Sequence, residues 1–72
     1  MSFCQTEELT ARELECLCWS AKGLQAKQVA DKMGISTATV NTQHLPAIRR
    51  KLGAANTREA VALAIYYRLI QP

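Results

Sequence analysis

The side chains with reactive chemistry are few in this 72-residue chain. Cys4, Cys16, Cys18 and the single His44 are its soft metal ligands and nucleophiles, and Asp31 is its one aspartate. Cys16 and Cys18 stand two apart, so on a helix they point about 200° apart and cannot share an ion. No second cysteine pair follows, and His44 lies far along the chain. That spacing spells neither a zinc site, a disulfide framework nor a nucleophile–base pair. The cysteines read as small apolar fillers in a reducing compartment. His44 reads as a packed, hydrogen-bonded histidine, and no glycine-rich phosphate loop occurs. We expect no catalysis, no metal and no cofactor.

The cations carry more signal. Residues 1–21 hold Glu7, Glu8, Glu13 and Glu15 against Arg12, a balance of −3. Residues 22–72 hold Lys22, Lys27, Lys32, Arg49, Arg50, Lys51, Arg58 and Arg68 against Asp31 and Glu59, a balance of +6. A basic two-thirds suits a polyanion such as nucleic acid, although a merely solvated surface has the same composition. The length and the 49% apolar content bound the rest. They allow one small domain, with no room for both a core and a walled pocket. No apolar run is long enough to span a membrane, and the start MSFCQTEEL has no secretory pattern. We expect a cytoplasmic protein with no membrane partner.

Helices must position these groups. Thr10-Ala11-Arg12-Glu13 has the form of a capping box and opens a first helix over about residues 11–22. Cys16, Leu17, Ser20 and Ala21 share one stripe of it, with Trp19 alongside as a packing residue. Gln25, a weak cap, opens a second helix over 26–33 that carries Val29, Ala30 and Met33. Ser36 caps a third over 37–52, and Asn56-Thr57-Arg58-Glu59 is a second capping box, opening a fourth over 57–68. Gly23, Gly34 and Gly53 close the first three. No segment alternates with period 2. The fold class is therefore all-α, a four-helix domain over 9–72 behind a flexible segment 1–8. Gly34-Ile35-Ser36 joins the second helix to the third, with Ile35 as the plug of the turn. This is a helix-turn-helix layout, in which the second helix of the pair enters the DNA major groove.

Three linked motifs carry a resemblance to a known family. They are Leu9-Thr10-x-Arg12-Glu13-x-Glu15-Cys16-Leu17-x-Trp19-x-Ala21-x-Gly23, then Val29-Ala30-x-x-Met33-Gly34-Ile35-Ser36-x-x-Thr39-Val40, then Arg50-Lys51-Leu52-Gly53-Ala54-x-Asn56-Thr57-x-Glu59-Ala60-Val61. Together they span about residues 9–70, and the chain resembles the LuxR/GerE helix-turn-helix family. The Glu-Cys-Leu-x-Trp-x-Ala-x-Gly run is similar to its quorum-sensing branch, whose members join this domain to one that binds acyl-homoserine lactones. The resemblance implies the DNA-reading half of a bacterial transcription regulator, with a third helix that reads bases and a fourth that pairs two protomers.

The chain departs from the family pattern in the third helix. The family spacing Thr-Val-x-x-His-Leu is one residue longer here, Thr39-Val40-Asn41-Thr42-Gln43-His44-Leu45, and Pro46 follows inside the helix. Gln25 and Gln28 also replace the usual Thr/Ser and Glu of the second helix. Val40, Leu45, Ile48 and Leu52 are the expected core face, yet five residues of α-helix leave Val40 and Leu45 about 140° out of phase. One π-turn across Asn41–Pro46 would restore the phase, and Pro46 would fall where a backbone bond is already broken. A regular helix with Val40, His44, Ile48 and Leu52 inward is the alternative.

The resemblance also assigns the sites. Base contacts fall to Thr37, Ala38, Asn41, Thr42 and Gln43, because Asn and Gln can pair with adenine edges and a Thr methyl can meet a thymine methyl. Phosphate contacts fall to Lys27, Arg49, Arg50 and Lys51. The fourth helix has an apolar surplus, and Ala62, Ile65, Tyr66 and Leu69 are its dimer face. The implied partners are double-stranded DNA of two-fold symmetry, a second copy of the chain (weakly held in an isolated domain) and RNA polymerase. The altered third helix keeps a different reading open. In it, a helix-turn-helix-shaped module antagonises a related regulator through its fourth helix.

Overall fold

The computed structural model describes residues 9–70, and the expected segment 1–8 lies outside them. Four helices form among the described residues. The first is Ala11–Ala21 and the second Ala26–Met33. The third runs without a break as α-helical Thr37–Thr39, a π-turn at Val40–His44 and α-helical Leu45–Leu52. The fourth is Thr57–Tyr66. The all-α expectation holds, and no strand occurs among these residues.

Local chemistry sets the helix starts. The Thr10 hydroxyl accepts the Glu13 N–H at 3.1 Å, and the Glu13 carboxylate accepts the Thr10 N–H at 2.9 Å. That reciprocal box satisfies two of the four orphan donors of the first turn. Gln28 supplies the returning half at the second helix, accepting the Gln25 N–H at 2.9 Å. Ser36 accepts the Thr39 N–H at 3.1 Å and opens the third helix. The box expected at Asn56–Glu59 forms with a shift. Asn56 accepts the Glu59 N–H at 2.8 Å, while Glu59 reaches back to the N–H of Ala55 at 2.6 Å rather than to Asn56.

All four helices end in one way. A residue in the left-handed region follows the last turn, and the next N–H folds back five residues: Leu24 to Trp19, Ile35 to Ala30, Ala54 to Arg49 and Leu69 to Ala64. This is the Schellman motif. Gly23, Gly34 and Gly53 hold the left-handed position in the first three, while Arg68 holds it in the fourth with φ +62°. That motif ends the fourth helix at Tyr66 instead of the expected residue 68, and likewise the first at Ala21 instead of 22. Leu24, Ile35 and Ala54, just beyond the glycines, pack on the core, and Ile35 is the expected plug of the turn.

The core gathers Cys16 and Leu17, Val29, Ala30 and Met33, Val40, Ile48 and Leu52, Ala60 and Ala64, and Ile70. The first helix touches the other three, whereas the second and fourth are not neighbours of each other. It is the strut on which the helix-turn-helix pair is mounted. Small Ala60 and Ala64 let the fourth helix approach closely.

Arg68 bears a backbone conformation that costs an L-residue about 1 kcal/mol or more and glycine far less. Arg68→Gly should therefore stabilise the domain by about 0.5–1 kcal/mol, raising the thermal midpoint by roughly 2–8 °C in a calorimetric or circular-dichroism melt.

Candidate nucleic-acid interface

The third helix places the expected base-contact residues along its first half. Ala38, Asn41, Thr42 and Gln43 are exposed, and Thr37 is half-buried. The Thr42 hydroxyl donates to the Ala38 carbonyl at 2.7 Å, which leaves its methyl group and its acceptor lone pairs for another partner.

The expected π-turn forms, at Val40–His44 rather than across Asn41–Pro46. The Leu45 N–H bonds to the Val40 carbonyl, five residues back, and the regular-helix alternative is excluded. Val40 and Ile48 are wholly buried and Leu52 nearly so, with Leu45 packed against them. Pro46 falls second in the α-helical segment that follows, in a first turn where a missing N–H is tolerated. His44 is half-buried at the end of the turn.

The cations separate into two kinds. Lys27 on the second helix and Arg50 on the third are exposed, and Arg49 is half-buried. Lys51, the remaining residue of the expected phosphate set, is held within the domain by an ion pair. Its ammonium sits 2.8 Å from the Glu13 carboxylate, and its side chain is only 12% exposed. From sequence alone Glu13 reads only as a capping residue. The missed signal is its position three and four residues before Cys16 and Leu17, on the buried stripe. Desolvation pushes the Glu13 carboxyl up, but hydrogen bonds from Lys51 and Thr10 and the ammonium charge outweigh it. The net pKa lies below the ordinary 4.5. Next to Glu13, the Arg12 guanidinium donates to the Met33 carbonyl at 3.2 Å, at the end of the second helix. Two adjacent residues of the first helix thus hold both helices of the pair at their C-terminal ends, where cations meet the negative pole of the helix dipole.

Burial pushes the Cys16 thiol up to about 11, so it is an inert filler as expected. Cys18, by contrast, is exposed, because it stands off the buried stripe; Cys4 lies outside the described residues. Trp19 packs on the core with the Lys32 ammonium 5.4 Å from its ring centroid. On the fourth helix Ala62 is exposed, Ile65 half-buried and Tyr66 78% exposed, and Leu69 follows it, also exposed. A groove of about 340 Å³ between Ser20, Gly23, Leu24, Thr57, Arg58 and Val61 takes no residue from the third helix. No group of three His, Cys, Asp or Glu among the described residues could hold a metal ion. No helix among them is long and apolar enough to cross a membrane.

Comparison with known proteins agrees with this geometry. Residues 7–64 match the family described as bacterial regulatory proteins, luxR family. The chain is 41% identical over 64 residues to the transcriptional activator protein BjaR1 of Bradyrhizobium diazoefficiens, covering 89% of this chain and 26% of that one. It is 38% identical over 66 residues to AhyR of Aeromonas hydrophila, covering 92% and 25%. It is 44% identical over 62 residues to SolR of Ralstonia nicotianae, covering 86% and 26%. The last two are also named transcriptional activator proteins, and the chain spans about a quarter of the length of these curated relatives.

The Glu13–Lys51 pair has a sign that can be tested. A carboxyl whose folded pKa is depressed stabilises the fold above its unfolded value, and that contribution is lost as pH falls through the folded value. Urea melts from neutrality into acid should show stability falling below about pH 4.5, the ordinary carboxyl value. Glu13→Gln should flatten that fall. At neutral pH it should cost about 2–3 kcal/mol, between the values for exposed and fully buried pairs. Adding Lys51→Met should recover much of the loss, since no buried charge is then left alone.

Proposed function

Because this chain belongs to the luxR family of bacterial regulatory proteins, we propose that it binds duplex DNA sequence-selectively, as the reading domain of a quorum-sensing-type transcriptional regulator working in the cytoplasm. The observation that carries the reading is the exposed polar run Asn41-Thr42-Gln43 on the third helix, which follows the second through a three-residue turn. The turn and the Ser36 cap fix how that helix leaves the domain, as a groove-reading helix requires. Asn41 and Gln43 offer amides suited to adenine edges, and Thr37, Ala38 and Thr42 offer small surfaces that admit close approach. No arginine stands in this stretch, so guanine reading is not its strength, and DNA shape carries part of the selectivity.

Lys27, Arg49 and Arg50 are the proposed phosphate contacts, which supply salt-sensitive affinity and little sequence information. Lys51 keeps its place against Glu13 and acts by holding the end of the reading helix. Residues 9–72 form the DNA-binding unit. Ala62, Ile65, Tyr66 and Leu69 are the proposed face toward a second copy, weakly paired alone and fully paired on a two-fold symmetric site. RNA polymerase is the proposed further partner at the promoter.

Fluorescence anisotropy with a random-sequence duplex at two salt concentrations tests the reading. Affinity should fall steeply as salt rises, and Arg49→Ala or Arg50→Ala should each weaken binding and reduce the salt slope by about 1. Absence of duplex binding at either salt would overturn the reading in favour of a protein-level antagonist. Sedimentation on a symmetric duplex should find two protomers, reduced to one by Tyr66→Asp.

A further inference from the structure

We infer that the π-turn is a specificity device, which swings Gln43 out of the core side of the third helix and makes it a base reader beside Asn41 and Thr42. The inference rests on the DNA-reading function proposed above. In an uninterrupted α-helix, Gln43 stands three residues after Val40 and returns to within about 60° of it. Val40 is wholly buried, so a regular helix would turn Gln43 toward the domain. The structure instead has Asn41, Thr42 and Gln43 exposed as a consecutive run, with the chain returning to the core at half-buried His44 and Leu45. The five-residue Leu45-to-Val40 hydrogen bond is what makes room for the third outward side chain.

Two further features hold the turn in place. Pro46 has no N–H, so it cannot supply the bond to the Thr42 carbonyl, four residues back, that would continue a regular α-helix through this point. The Thr42 hydroxyl bonds to the Ala38 carbonyl at 2.7 Å and ties the centre of the run to the turn before it. The result is an Asn-Thr-Gln triplet with Thr42 in the middle and an amide on either side. Each amide can take the N6 and N7 of an adenine, and the central methyl can meet a thymine. The recognised element is therefore a run of A·T-containing base pairs read by three neighbouring residues, where a regular helix would present two.

The test is selection of duplexes from a randomised pool by the full chain, followed by titration against the selected duplex and its single-base variants. Gln43 is exposed and its replacement leaves the core untouched. Gln43→Ala should lower discrimination at one base pair by about tenfold or more, and Asn41→Ala should do so at a different one. Deletion of Thr42 removes the extra residue and, paired with Pro46→Ala to restore the missing N–H, permits α-helix throughout, which moves Gln43 to two residues after Val40. That variant, with wild-type helicity and a cooperative melt, should select a different duplex from the same pool. Unchanged discrimination in Gln43→Ala, or the same selected duplex after the deletion, overturns the inference while leaving DNA binding intact. If the deletion variant does not fold, Gln43→Ala alone decides. A wild-type chain that enriches nothing and shows no salt-dependent binding fails at the level of the proposed function and takes the inference with it.

Discussion

The third helix must keep Val40, Ile48 and Leu52 against one core, and most of what is unusual in this domain follows from that constraint. These side chains are buried at 0%, 0% and 8% exposure, so rotating any of them to solvent would forfeit about 1.5–3 kcal/mol each. An added residue between Val40 and Ile48 would turn everything beyond it by about 100° in an α-helix. Re-registering one hydrogen bond from four residues to five costs far less, on the order of a single net backbone bond or about 1 kcal/mol. The helix takes the smaller cost and bulges. Pro46 adds little to it, because the bulge places Pro46 in the opening turn of the next α-helical segment.

The first helix converts this local accommodation into a defined orientation. Its inward stripe is Glu13, Cys16 and Leu17, two apolar residues and one charge. A lone buried carboxylate would be strongly unfavourable, so the stripe demands a cation, and Lys51 answers it from the last turn of the third helix. The same Glu13 oxygen accepts the Thr10 N–H, which welds helix capping to tertiary placement. Arg12 does the complementary work at Met33. Not every buried polar atom is so well served. The Trp19 indole N–H is buried without a hydrogen-bond partner, while the Lys32 ammonium lies over the face of the same ring.

Much of this was legible from residue types alone, and the boundary of legibility is physical. Helix starts were readable because Thr10, Ser36 and Asn56 accept N–H groups only a few residues away. The π-turn was readable because a buried stripe has a fixed phase, so an extra residue shows as a mismatch. Glu13–Lys51 was not read, since it joins residues 38 apart in sequence and each had a sufficient local explanation, one as a cap and the other as a basic surface group. The end of the fourth helix was misjudged for a related reason. Arginine is an ordinary helix former, and nothing local marks Arg68 as the left-handed residue; its reversal of the chain comes two positions before the buried Ile70.

That last point bears on where the domain departs from its own rules. Three of its helices close on glycine and turn the following residue into the core, the arrangement that stabilises a small fold best. The fourth closes on a strained arginine and leaves Leu69 exposed beside Tyr66 and Tyr67, which meet edge to face at 5.2 Å. Sequences tend to break local rules where function outweighs stability. Here the breaks fall in two places, the middle of the third helix and the end of the fourth. These are also the two surfaces that the proposed function gives to outside partners, the first to DNA and the second to another protomer. The rest of the chain keeps to capping, phase and glycine-closed turns, which is what lets so short a domain hold two such surfaces at once.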